Sequence, residues 1–380
     1  MGVEFKADAF DYEAEYEKIK NQVVKPNILL CGATGVGKSS LVNDIFDENL
    51  AAVGVGEPVT RGTHRYEGET ITIYDSEGYE IGSDRQTHYR EEIIGWIDRQ
   101  RREDPEAVED QIHEVWYCIS AANKRITDTD FMLIREIQAK KVPVALVFTQ
   151  VDGVEAGELE ALQRTAREEL PAIALFTYAV TADEQVQALL KPYIQKAALI
   201  DWAIAVLPEY LKEGLIIALK GCIEKKRDHV TQRVIPKYTV AAAGVGASPI
   251  PFSDAMVLMP IQMAMTLHIF NVYGLSKLKG TAASLLETQI LAQVGKVMAG
   301  TLVGNLTKLI PGFGTAAGMI INAGVASSIT LTLGLTVSNL CFNYSQAVLA
   351  GISVDEDEFF GTDAFNNIFD VAMRRVKNNG

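Results

Sequence analysis

Residues 32–39 read Gly-Ala-Thr-Gly-Val-Gly-Lys-Ser, GATGVGKS, and fit the spacing G-x-x-x-x-G-K-[ST]. The flanks suit it: a short apolar run, NILLCG (27–32), comes before and SLVNDIF (40–46), with helical spacing, comes after. Each residue type in the loop has a physical task. The glycines let the backbone curl tightly around phosphate oxygens. The amides of Thr34, Gly35, Val36, Gly37, Lys38, Ser39 and Ser40 then form a positive cradle at a helix N-terminus. Lys38 is expected to reach the β- and γ-phosphates, and Ser39 to ligate Mg²⁺.

Working outward, apolar strand-type runs alternate with helical stretches from Pro26 to about residue 198. Strands are expected at 26–31, 70–74, 113–119, 142–148 and 172–178, and helices near 38–47, 84–103, 128–141, 155–170 and 183–198. Such alternation predicts an α/β domain with a mainly parallel sheet and helices on both faces. Residues 8–24 read as an amphipathic N-terminal helix, so the organisation expected is 1–25, 26–198 and an all-α region 199–380.

Three further elements refine the ligand. VALVFTQVD (144–152) ends in Thr149-Gln150-Val151-Asp152, which resembles the [NT]-K-x-D base-reading motif with Gln150 in place of lysine. A carboxylate at Asp152 can accept from the ring N–H and exocyclic amine of guanine, whereas adenine would leave it partly unpaired. ITIYDSEG (71–78) contains Asp75-Ser76-Glu77-Gly78, a D-x-x-G. Asp75 is expected to hold Mg²⁺ through water, and the Gly78 amide to touch the γ-phosphate. In GEPVTRGTHRY (56–66), Thr60 is the preferred threonine to complete the Mg²⁺ shell, with Thr63 the alternative.

As a set, G-x-x-x-x-G-K-S, E-P-V-T-R, D-S-E-G and T-Q-V-D resemble the GTPase domain of the Era/TrmE/HSR1 kind, over about half the chain. The resemblance implies GTP and GDP as substrate and product, with Mg²⁺ as cofactor. It also implies a role for Thr181-Ala182-Asp183, where the Ala182 amide would support the base. Lys38, Thr60 and Gly78 would carry the chemistry. Two departures bear on rate. Tyr79 follows Gly78 where Ras-like enzymes place a water-orienting glutamine, and Glu77 replaces the common proline. Hydrolysis is therefore expected to be slow, raised by self-association through the G domain or by a partner. Arg61, Arg65 and Arg85 are the local arginines that could assist in trans, although each reads first as a solvated switch residue.

Charge and cysteines bound the rest. Residues 1–200 hold 21 Lys and Arg against 36 Asp and Glu, and residues 201–380 hold 14 against 13. An acidic first half argues against general nucleic-acid binding, which needs a basic surface. Cys31, Cys118, Cys222 and Cys341 are far apart and form no metal-type pair, so they read as reduced thiols. The N-terminus, MGVEFKADAF, has no apolar signal region. Lys6 stands where myristoylation would need Ser or Thr. A cytoplasmic protein, peripheral to a membrane, is the expectation.

The second half carries its own resemblance. The segments containing A-x-x-G-x-x-x-x-P-I-P-x-x-D, V-Y-G-L and I-P-G-F-G-T are similar to the DUF697 helical domain over about 230–345. The order of the two domains is similar to that of immunity-related GTPases, which act at membranes. Pro249, Pro251 and Pro260 are expected to punctuate helix starts, with Asp254 an N-cap. His268 reads as a hydrogen-bonded core histidine. The four carboxylates of 355–358 read as a solvated run, since the glycine and glutamate offsets of a calcium loop are absent. Residues 309–354 contain no charged side chain. Small or modestly polar residues recur there at Gly318, Asn322, Ala326, Thr330, Gly334 and Ser338, which favours a packed bundle core over a membrane span. A basic cluster at Lys225, Lys226, Arg227, Arg233 and Lys237 offers a face for anionic headgroups. The functions in view are a nucleotide switch at a membrane surface, a nucleotide-dependent scaffold with little hydrolysis, and an integral membrane GTPase.

Overall fold

The computed structural model describes residues 10–46, 57–60, 63–76, 78–79, 85–103, 108–180, 184–246, 254–275 and 323–379. The chain divides into two compact units, one of Val23–Lys220 and one joining the segment up to Gln22 with the chain from Gly221 onward. Ala182, Glu77, Arg61, Pro249, Pro251 and the I-P-G-F-G-T stretch lie outside the described residues.

Among the described residues the first unit is built on seven strands: β1 (Asn27–Cys31), β2 (Glu57–Thr60), β3 (Thr63–Glu67), β4 (Thr72–Ser76), β5 (Glu114–Ser120), β6 (Val144–Thr149) and β7 (Ala174–Thr177). Their order across the sheet is β2-β3-β4-β1-β5-β6-β7. The pairings from β4 through β1, β5 and β6 to β7 are parallel. Those of β2 with β3 and β3 with β4 are antiparallel. β1 lies centrally, with Leu29 opposite both Tyr74 and Val115, and all five of its residues are buried. A strand covered on both faces needs apolar side chains at every position, which NILLC nearly supplies. β5 and β6 are likewise buried throughout.

Helices α2 (Lys38–Ile45), α3 (Arg85–Glu103), α4 (Asp128–Ala139), α5 (Ala156–Glu169) and α6 (Glu184–Leu190) fill the connections. Two more, α7 (Lys196–Val206) and α8 (Glu209–Ala218), also belong to this unit, past the change of sequence pattern near Ile200. The cause is packing. Gln195 N donates to Thr177 O at 2.8 Å, and Trp202 lies 6.2 Å from Phe176 between ring centroids. Gly214 comes so close to the chain before β1 that a Cβ there would sit 2.6 Å from the carbonyls of Val24 and Thr70. Lys220 N then donates to Ile45 O at 2.9 Å.

The second unit is helical: α1 (Tyr12–Gln22), α9 (Ile223–His229), α10 (Ile235–Gly246), α11 (Asp254–Tyr273), α12 (Ala323–Leu349), α13 (Glu356–Phe359) and α14 (Thr362–Asn379). α1 lies on α11, with Tyr16 and Ile19 packed on Leu267 and the Tyr16 hydroxyl donating to Asn271 Oδ1 at 3.3 Å. Between α9 and α10 the backbone widens into a π-helical turn, Val230–Val234, just before Pro236, which has no amide to continue an α-helix. Pro260 does not mark a helix start. It sits inside α11, where burial of Leu258, Met263, Met265, Leu267 and Phe270 offsets the lost amide. Asp254 is the first helical residue of α11 rather than the cap before it.

The charge-free stretch resolves where it is described. In α12, Ala326, Ile329, Thr330, Leu333, Val337, Ser338, Leu340 and Cys341 are buried. Gly334 faces α10 and α11 so closely that a Cβ would meet Ile235 Cγ1 at 2.8 Å and Met265 Sδ at 3.0 Å. Hydroxyls of Thr332 and Thr336 donate back to the carbonyls four residues earlier, at 2.7 and 2.8 Å. That is how polar residues tolerate a buried helix. Gln262 donates to Thr330 at 3.3 Å, and His268 Nδ1 shares a 3.3 Å hydrogen bond with the Tyr238 hydroxyl. Among the described residues no helix is long and apolar enough to cross a membrane.

Candidate functional site

The carboxyl ends of β1, β4, β5 and β6 meet at one edge of the sheet, where open α/β folds gather ligand-binding groups. The loop after β1 is the expected cradle. Gly32 takes φ +132°, and a Cβ there would lie 2.1 Å from the Cys118 carbonyl, so only glycine lets the chain leave β1 against β5. Lys38 is buried at the first position of α2, and its Nζ donates to the carbonyls of Gly32 and Ala33, both at 3.2 Å. Thr34, Gly35, Ser39 and Ser40 are exposed on the rim, and Val36 is buried beneath it.

Asp75 ends β4 beside the cradle. Ser39 Oγ donates to Asp75 Oδ2 at 3.2 Å, while Asp75 Oδ1 is buried and has no hydrogen-bond partner. Burial pushes the Asp75 carboxyl above its ordinary range, against the opposing pull of Lys38 and the Ser39 hydroxyl. Gly78 takes φ +81°, and a Cβ there would lie 2.7 Å from both Gly32 O and Thr34 N. The D-x-x-G glycine thus rests directly on the phosphate loop. Thr60 stands on β2, paired with Thr63 across a register shift. Thr63 itself is buried in β3.

The T-Q-V-D segment joins the same edge. The Thr149 hydroxyl donates to the carbonyls of Val36 and Ile119, fixing the end of β6 to the cradle. Gln150 takes φ +54°; its Oε1 accepts from the Ser120 hydroxyl and its Nε2 donates to Gly35 O at 3.1 Å. Asp152 is exposed in the short turn Val151–Gly153, its carboxyl open to solvent. The structure therefore brings Lys38, Ser39, Asp75, Gly78, Thr149 and Gln150 together at one end of the sheet.

Several residues of the site carry no motif. Gly32 N donates to the Tyr89 hydroxyl oxygen at 3.3 Å; that hydroxyl lies 2.7 Å from Ser76 Oγ, which donates to Leu30 O at 2.8 Å. Ser76, one of the variable positions of D-x-x-G, thus ties β4 to the root of the cradle. On the far side, Asp44 of α2 accepts from the Tyr178 hydroxyl and from Lys196, both at 2.9 Å. Tyr79 is buried, with its hydroxyl donating to Asp130 of α4, and its carbonyl accepts from Thr34 N at 3.2 Å. Arg65 pairs with Glu67 at 3.1 Å on β3. Cys31 and Cys118 are buried beneath the cradle, and burial pushes both thiols up to about 12. Among the described residues no cluster of three or more His, Cys, Asp or Glu could hold a metal.

A mainly parallel sheet with a G-x-x-x-x-G-K-S cradle, a D-x-x-G carboxylate and a T-Q-V-D loop at one edge defines a P-loop GTPase domain, followed by a helical region. Residues 27–150 match the family described as 50S ribosome-binding GTPase, and the domain is of this HSR1/MMR1, GTP-binding type. The chain is similar to Magnetosome membrane protein 22 of Magnetospirillum gryphiswaldense, 32% identical over 112 residues, covering 28% of this chain and 55% of that protein. It is also similar to a probable GTP-binding protein EngB of Caldanaerobacter subterraneus, 26% identical over 160 residues, covering 41% of this chain and 75% of that protein. A crystal structure of a probable GTP-binding protein engB covers 47% of this chain and 97% of its own, at 14% identity and a TM-score of 0.35. The chain spans about half the length of the first curated relatives that it matches.

Proposed function

We propose that this chain is a slow GTPase switch that binds GTP and GDP with Mg²⁺ and passes its nucleotide state to the helical unit. The observation that carries the metal is the pair Ser39 and Asp75. Two hard oxygen ligands stand 3.2 Å apart, and the second carboxylate oxygen, Asp75 Oδ1, is buried without a partner. That donor set fits Mg²⁺. Ser39 and Asp75 would hold it, with Thr60 of β2 completing the shell. When bound, the ion supplies charge neutralisation to the phosphates. Lys38 and the amides from Thr34 to Ser40 bind the phosphate chain. Thr149, Gln150 and Asp152 receive the guanine, with Ala182 supporting it.

Slow turnover follows from Tyr79. The side chain after the D-x-x-G glycine is turned into the protein and engaged by Asp130, so no group at this position orients water. A second copy, associating through the G domain, or another partner would then supply what is missing, with Arg61, Arg65 or Arg85 the candidate arginines. The test is phosphate release at rising protein concentration. Turnover per molecule should climb with concentration; a fast rate independent of concentration overturns the reading.

We place the helical unit, DUF697-like in its sequence over about 230–345, at a membrane surface. The likeness to a magnetosome membrane protein supports this. The basic cluster contributes less than its count suggests. Lys226 is buried, Lys225 is half-buried, and Arg227 pairs with Glu224 at 2.5 Å and stacks over Phe342 at 4.1 Å, while Arg233 and Lys237 are exposed. Flotation with anionic vesicles should carry the protein upward in one nucleotide state more than the other. Equal recovery with neutral and anionic vesicles would remove the membrane role.

A further inference from the structure

Asp130 gathers four donors onto one buried carboxyl. Oδ1 accepts from the hydroxyls of Tyr79 and, at 2.7 Å, Tyr117; Oδ2 accepts from Thr127 N at 2.8 Å and Thr127 Oγ1 at 2.7 Å. The Thr127 contacts form the capping box that starts α4, so the carboxyl is fixed by the fold of that helix. Tyr117 comes from the centre of the sheet, in β5. Tyr79 comes from the phosphate-sensing segment, immediately after Gly78. Its ring packs 5.2 Å from that of Tyr89, which reaches the root of the cradle through Gly32 N. Its carbonyl takes the Thr34 amide. Gly78 is therefore held from two sides: by the cradle, which a Cβ would strike, and by Tyr79, which is anchored to α4.

We infer that Asp130 is a positioning residue which, through Tyr79, holds the Gly78 amide in place for a γ-phosphate before the nucleotide arrives. The inference rests on the guanine-nucleotide reading of the site. A flexible glycine would have to be ordered when GTP binds, and that ordering would reduce affinity for GTP but not for GDP. Anchoring Tyr79 removes this cost in advance. The hydroxyl–carboxylate bond thus sets the preference for triphosphate over diphosphate. It also confines rearrangement of the D-x-x-G segment between nucleotide states to the chain beyond Tyr79.

Affinities for GDP and for a non-hydrolysable GTP analogue should be measured on the full chain for wild type, Tyr79→Phe and Tyr117→Phe. Phe keeps the ring packing at 79 but releases Asp130. The ratio of triphosphate to diphosphate affinity should fall about tenfold in Tyr79→Phe, in line with one lost charge-assisted hydrogen bond. It should hold in Tyr117→Phe, which removes the other hydroxyl from the same oxygen but leaves the bond from Tyr79 to Asp130 in place. A purely structural bond would lower the melting temperature of both variants and leave both ratios alone, which overturns the proposal. Wild type that binds neither nucleotide overturns the guanine-nucleotide reading itself, and the positioning role with it. Should Tyr79→Phe not fold, hydrogen exchange of wild type decides the matter. The peptide containing Ser76 to Tyr79 should be equally protected with GDP and with the GTP analogue; faster exchange with GDP overturns the proposal.

Discussion

Gln150 donates from Nε2 to the Gly35 carbonyl at 3.1 Å, so the residue at the lysine position of the base-reading motif is stitched to the phosphate loop. Its other amide atom accepts from Ser120. A neutral side chain with one donor end and one acceptor end can bridge two loops in a way that an ammonium, which only donates, cannot.

Replacing Gln150 with Ala should therefore lower affinity for both GDP and GTP about tenfold, by freeing two loops that frame the base. Lysine at 150 should restore binding only in part, since its longer stem still reaches Gly35 but its ammonium cannot accept from Ser120. Titration with a fluorescent guanine nucleotide reads both. An alanine variant with unchanged affinity would show that the bridge has no part in binding.

Asp75 offers a buried oxygen with no protein partner. Chelating Mg²⁺ should speed GDP release from wild type at least tenfold. Asp75→Asn should release GDP quickly with or without the chelator. Stopped-flow displacement of labelled GDP makes the comparison. A chelator response of wild-type size in the variant would separate Asp75 from the metal.

Glu114 starts β5 fully buried, with Oε1 accepting from Trp116 Nε1 at 3.2 Å and Oε2 unpartnered. Burial pushes its carboxyl up to about 8. Between the ordinary glutamate range and that value the folded chain keeps a proton that the unfolded chain has lost. Stability should therefore fall as pH rises through this window, by about 1 kcal/mol per pH unit for this single group. Glu114→Gln keeps the Trp116 contact and should flatten the slope. Urea melts at pH 5.5 and 7.5 would read it, and an identical slope in both proteins would count against Glu114.

Gly334 has no room for a side chain against Ile235 and Met265. Gly334→Val should destabilise the protein by about 2 kcal/mol through overpacking. Thermal melts test this directly. Unchanged stability would mean that α10 and α11 can shift away from α12.

The motifs of the candidate nucleotide site were legible because each of them is local. The cradle and D-x-x-G each fit within one loop, and the alternation around them fixed five strands and the helices between. The antiparallel β2 and β3 escaped notice because EPVT and THRYE are short and polar, with no apolar alternation to mark them. Pro260 misled because burial of α11 outweighs a local rule. Asp130, Ser120 and Tyr89 were invisible for another reason. Each acts across the sheet, on residues that no spacing along the chain connects. Asp130 alone had a local signal, the T-x-x-D of its capping box, but that signal announced a helix start and nothing about Tyr79.

The order in which the chain is made adds a consequence. α1 is translated before the nucleotide unit, yet its partner Asn271 lies 255 residues beyond Tyr16. All of Val23–Lys220 emerges in between, and its two ends close on each other where Gly214 meets Val24. The nucleotide unit is thus an insertion within the helical one, and it can fold on the ribosome while α1 still waits for α11. Until then the apolar face of α1, with Tyr16 and Ile19, is uncovered, a stage at which a chaperone could act on the nascent chain.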